Sequence, residues 1–112
     1  TFGHALENLS GYRLRHGKAV SIGMVIATRL AVRLGLCSPG LAERVEGILH
    51  RLGLPVRYQG YSPDAVWDAM ATDKKRKGGR LRFVLPLHAG NVTVTSDAPQ
   101  PLVLDVLKEI RE

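Results

Sequence analysis

The apolar residues of this chain recur at helical spacing in four segments, switch to a strand-like alternation, and return to helical spacing at the C-terminus. Residues 3–9 suit a short helix, ended by the turn-like "SGY" at Ser10 to Tyr12. A long apolar pattern follows from about His16 to Leu34, and Gly35 supplies its C-terminal stop. Ser38 then Pro39 reads as an N-cap followed by a proline at the first helical position, opening a helix that runs through "LAERVEGILHRL" to Gly53. Ser62-Pro63-Asp64 repeats that signal ahead of "DAVWDAMATDKK". Beyond it the period changes. "LRFVLPL" (81–87) and "NVTVTS" (91–96) are β-rich and flank "HAG", which predicts a small hairpin. Pro99 and Pro101 lead into a last helix with apolar Leu102, Val103, Val106, Leu107 and Ile110. The expected fold is mainly α: a multihelical domain with a small two-stranded antiparallel β element.

Composition narrows the class. The 112 residues make one domain at most, and 45% hydrophobic residues are enough for a core. Aromatics are only 5%, so aliphatic side chains must fill that core. The single cysteine, Cys37, excludes an internal disulfide and suits a reducing compartment; its place in a loop, with no histidine at useful spacing, reads as packing. The longest apolar stretch, "AVSIGMVIATRLAVRLGL", carries Arg29 and Arg33 and reads as a buried helix of a soluble protein, not a membrane span. A cytoplasmic location is expected. The first residue is threonine and a site-like motif begins at once, as in a piece cut from a longer chain.

The net charge of +6 suits nucleic acid, an acidic membrane or a phosphorylated small molecule without choosing among them. Candidate chemistry lies elsewhere, in two histidines and a basic run. On the long helix His16 shares a face with Val20, Gly23, Ala27 and Leu34, so it is expected to point inward. Lys18 stands ~160° around, with Arg29 and Arg33. An inward histidine can be a buried neutral ring bonded to a backbone carbonyl, or a metal ligand or acid–base group. A catalytic zinc needs three protein ligands and an open position, more than His4 and His16 supply. Further ligands would come from outside these residues. His4 has Glu7 and Asn8 three and four residues on, along one helical side, an arrangement that can hold one tautomer for proton transfer or merely satisfy a capping histidine. The run "TDKKRKGGR" (72–80) reads as a solvated basic loop, a nucleic-acid patch, or a lysine placed as a point charge for phosphate or carboxylate. No interleaved aromatics accompany it for base stacking, which ranks nucleic acid last. His50 and His88 are assigned no chemistry.

In order and spacing, "TFGHALE" (1–7), "HGKAVSIGMV" (16–25), "RLGLP" (51–55) and "DKK…GGRLRFVLP" (73–86) resemble the C-terminal domain of the 3-dehydroquinate synthase family, among the sugar-phosphate cyclases. The resemblance implies that residues 1–112 are a helical, metal- and substrate-binding domain whose N-terminal NAD-binding α/β domain is absent from this chain. It implies NAD and a divalent metal, zinc or cobalt, bound between the two domains of a full-length homodimer, and a small sugar phosphate as substrate, with neither nucleic acid nor membrane as partner. The implied reaction is the second step of the shikimate pathway, from 3-deoxy-D-arabino-heptulosonate 7-phosphate to 3-dehydroquinate and phosphate. By this match His16 is similar to the family's last metal-ligating histidine and His4 to its active-site histidine, which assists proton transfer during phosphate loss. Lys74 first, and Lys75 second, resemble a substrate-binding lysine. The family places a further ligating histidine four residues before His4 and a ligating glutamate in the other domain. The isolated piece is therefore expected to be inactive and to bind neither NAD nor zinc with useful affinity. Where the family usually has an acidic residue, this sequence has Lys18. Two other readings stay open: a related cyclase making an inosose or a valiolone, and, remotely, a basic nucleic-acid-binding module.

Overall fold

A computed structural model describes residues 2–76, 79, 81–96 and 98–112, the side chains of Lys75 and Arg76 excepted. Among the described residues five helices and one hairpin follow in the order α1 (Phe2–Leu9), α2 (His16–Arg33), α3 (Pro39–Arg51), α4 (Pro63–Arg76), β1 (Phe83–His88), β2 (Asn91–Thr95) and α5 (Gln100–Ile110). This is the mainly α fold expected from the pattern. The helix α2 is its axis: it packs against α1, α3, β1 and α5, while α4 closes onto α1 and α5. Its buried residues Ala19, Ile22, Val25, Ile26, Leu30 and Ala31 form the centre of the core.

Local chemistry explains the element ends. Ser38 accepts a hydrogen bond on its Oγ from the Leu41 N–H, with Pro39 at the first helical position of α3. Ser62 does the same for the Ala65 N–H at the start of α4, at 3.1 Å. The stops after α2 and α3 use Gly35 (φ +74°) and Gly53 (φ +77°), whose left-handed backbone turns the chain so that Leu36 and Leu54 donate back to Ala31 and Leu49. The helix α1 ends at Ser10, whose Oγ donates to the Glu7 carbonyl and accepts from the Leu14 N–H. That clasp fixes the short connection leading to His16.

The hairpin is antiparallel, with Phe83 opposite Thr95, Val84 opposite Val94 and Leu85 opposite Thr93, and an irregularity between Pro86 and His88. Phe83 and Leu85 face the core and Val84, Val92 and Val94 face out. The Phe83 ring stacks on Phe2 with centroids 5.5 Å apart, seating the hairpin against α1. The last helix is held by Tyr58, buried, whose hydroxyl donates to the Leu107 carbonyl at 2.8 Å.

Three expectations need correction. His16 does not point into the core; its side chain is 83% exposed. The periodicity placed the ring on the correct face, but the first turn of that face borders a cleft and is not covered. The reading of residues 72–80 as a solvated loop fails at its start: α4 takes in Lys74 and Lys75, as the helix pattern placed them, and runs one residue further to Arg76. The first strand begins at Phe83, two residues later than the pattern suggested, and takes in His88.

Candidate active site

The helices α1 and α2 approach closely because glycines meet at their crossing. A Cβ on Gly3 would stand 2.9 Å from the Ala19 carbonyl oxygen, and one on Gly23 would stand 3.2 Å from the Gly3 nitrogen. Beside this crossing a cleft of about 360 Å³ opens between α1, the first half of α2 and β1. Its walls include His4 and Glu7 from α1, His16 and Val20 from α2, and Phe83 and Val84 from β1. The two histidines singled out in the sequence thus border one cleft.

Glu7 links them. Its side chain is only 11% exposed, and its Oε1 lies 2.5 Å from Nδ1 of His16. An ionised carboxylate only accepts, so this contact places a ring proton on Nδ1 of His16 and leaves Nε2 for another partner. The other carboxylate oxygen, Oε2, is 3.8 Å from Nδ1 of His4. On the far side of that ring, Asp73 Oδ1 is 3.8 Å from Nε2 of His4. His4, 45% exposed, therefore stands between two carboxylates, neither at hydrogen-bonding distance.

The sequence reading paired Glu7 with His4 through their helical spacing and missed its stronger partner nine residues on. A contact between two helices has no spacing rule, so only the fold reveals it. The approach of Asp73 to His4 was missed for the same reason, although its neighbour Lys74 was a candidate. Lys74 itself is half-buried in the last turn of α4, and its carbonyl accepts from the Gly79 N–H at 3.0 Å. The side chain of Lys75, together with Lys77 and Arg80, lies outside the described residues. Lys18 is exposed and borders a different cavity with Ser10, Arg13 and Tyr58, so it stands away from the two rings, as the helical geometry required. His50 and His88 are exposed and apart from the cleft.

Among the described residues no group of three or more histidine, cysteine or acidic side chains is arranged to hold a metal ion. The donor chemistry still fits a share in one. His16 offers an accessible ring nitrogen while a buried carboxylate holds the opposite nitrogen, the usual outer-shell arrangement of a ligating histidine.

Comparison with known proteins places the chain in a family. The family model described as 3-dehydroquinate synthase C-terminal matches residues 1–76. A protein named 3-dehydroquinate synthase from Synechococcus sp. is 45% identical over 112 residues, covering 98% of this chain and 30% of its own. One so named from Nostoc punctiforme is 46% identical over 110 residues, covering 96% of this chain and 30% of its own. The present chain thus spans about a third of the length of these relatives. Among solved structures, ValA, the 2-epi-5-epi-valiolone synthase from Streptomyces hygroscopicus subsp. jinggangensis with NAD+ and Zn2+ bound, superposes with a TM-score of 0.85 at 29% identity, over 97% of this chain and 31% of that one. By its motifs, its fold and the match across residues 1–76, the chain belongs to the 3-dehydroquinate synthase C-terminal family.

Proposed function

We propose that these residues form the C-terminal helical domain of a 3-dehydroquinate synthase, joined in the full-length protein to an N-terminal NAD-binding domain and working as a cytoplasmic homodimer. The reaction converts 3-deoxy-D-arabino-heptulosonate 7-phosphate to 3-dehydroquinate and phosphate. The observation that carries this reading is the convergence of His4 and His16, from separate helices, on one cleft and one buried carboxylate. When bound, NAD supplies a transient oxidation of the sugar phosphate, and a zinc or cobalt ion polarises its oxygens.

The chain's own residues take the remaining tasks. His16 helps to hold the metal through Nε2, its Nδ1 proton being retained by Glu7. His4 moves a proton as the phosphate leaves, because its ring lines the cleft and is 45% exposed. Lys74 binds phosphate or carboxylate as a compact charge, with Lys75 as second choice, and accompanies the negative charge that develops on elimination. Phe2, Phe83 and Val84 give that cleft an apolar floor.

A second reading is a related cyclase, favoured by the likeness to the valiolone synthase. The names of the relatives at 45% and 46% identity support the first. Supplying the full-length protein with heptulosonate 7-phosphate and following phosphate release separates the two. Release with formation of 3-dehydroquinate is expected; no release would overturn the assignment in favour of another cyclase.

A further inference from the structure

We infer that Glu7 is a positioning residue for the cleft: it fixes His16 in the Nδ1–H form, with Nε2 turned to the cleft. The functional half rests on the reading of His16 as a metal-holding residue; the structural half does not.

Burying a carboxylate is costly unless it is paired and hydrogen-bonded. Glu7 is 11% exposed, on a helix whose other buried residues are Phe2, Ala5 and Leu6. Its side chain caps no helix end. The clasp at the end of α1 uses only the Glu7 carbonyl, which accepts from Ser10 Oγ and the Tyr12 N–H. The carboxylate is turned instead to the two imidazoles, at 2.5 Å from His16 and 3.8 Å from His4. A staple between α1 and α2 would be the plain structural explanation. His16 is too exposed for that, since an ion pair with one partner in water contributes little to stability. Orientation is what the contact supplies: a ring in solvent turns freely unless something below it holds one nitrogen.

The test labels the histidine ring nitrogens of this chain and reads the tautomer of His16, with the ring neutral, from long-range nitrogen–proton spectra. The Nδ1–H form is expected to dominate in the wild type and in Glu7→Gln, whose amide oxygen still accepts. Glu7→Ala is expected to move His16 to the Nε2–H form that free imidazole side chains prefer, with the backbone amide spectrum otherwise retained. In the full-length protein the zinc dissociation constant should rise about 10–100-fold in Glu7→Ala, and by less in Glu7→Gln. An Nε2–H ring in the wild type, or an unchanged tautomer in folded Glu7→Ala, overturns the inference. Should Glu7→Ala fail to fold, the wild-type tautomer decides alone. If His16→Ala leaves zinc affinity unchanged while the tautomer behaves as stated, the metal reading falls and the positioning of the ring survives. If His16→Ala abolishes zinc binding and Glu7→Ala does not weaken it, the positioning role toward the metal falls by itself.

Discussion

A histidine on an apolar helical face and a histidine on a cleft wall look the same in sequence, and His16 shows why. Periodicity gives the direction of a side chain around a helix axis, but not whether anything covers that direction. Val20 and Met24, on the same stripe one and two turns later, are also exposed. On that side of α2 the helix is fully buried only at Leu30 and Ala31, while its opposite side is already core at Ile22 and Val25. The candidate roles were legible through the family resemblance; the Glu7–His16 contact and the approach of Asp73 were not, because both join residues from different helices. At this scale the account predicts that His4→Ala in the full-length protein lowers kcat for phosphate release by about 10²–10⁴-fold, the usual worth of a positioned proton-transfer group. Steady-state kinetics at saturating substrate check it. Lys18→Glu, which installs the family's usual charge, should leave the His16 tautomer unaltered, because Lys18 borders another cavity. A changed ring spectrum in that variant would contradict the placement.

Among the elements, the crossing of α1 and α2 matters most to the site. Nothing in a single sequence marks Gly3 and Gly23 as contact glycines. Gly3 lies in a motif and Gly23 in a helix interior, where glycine costs about 1 kcal/mol relative to alanine. The cost is accepted because backbone meets backbone there, and it brings His4 and His16 to the same cleft. Gly3→Ala must push its methyl against the Ala19 carbonyl, and should destabilise the chain by about 1–3 kcal/mol in denaturant unfolding. Gly47, within α3, provides the contrast, since a Cβ there would meet nothing within 4 Å. Gly47→Ala should raise stability by about 0.5–1 kcal/mol. Equal effects at the two glycines would contradict the crossing. Element ends were more legible: Ser38-Pro39, Ser62-Pro63, Gly35 and Gly53 each mark a boundary through local hydrogen bonding, which a sequence records directly.

Across the whole molecule, ties between distant segments carry the assembly. Arg29 of α2 forms a two-point pair with Glu46 of α3, a contact that raises the guanidinium's proton affinity above its ordinary value. Arg33 pairs with Glu109 of α5. These arginines point away from the cleft, as their helical positions required, yet they are engaged and not merely solvated. No helix among the described residues is long and apolar enough to cross a membrane. Tyr58 joins the loop before α4 to α5, and burial pushes its phenol up to about 12, with the charge of Arg111 acting the other way. The unfolded phenol ionises near its ordinary value of 10.0, so between the two values the folded chain holds the proton more tightly. Stability should therefore be intact below about pH 10 and fall as pH climbs toward 12. Tyr58→Phe should flatten that slope, while costing about 1 kcal/mol at neutral pH for the lost hydrogen bond. Denaturant unfolding at stepped alkaline pH measures both.

The most direct trial of the central claim, that the two imidazoles serve one metal-dependent centre in different roles, is the zinc content of the full-length protein and its histidine variants after exhaustive dialysis. The account predicts that His16→Ala loses the metal, whereas His4→Ala keeps it and loses phosphate release. Full zinc occupancy in a folded His16→Ala protein would contradict it.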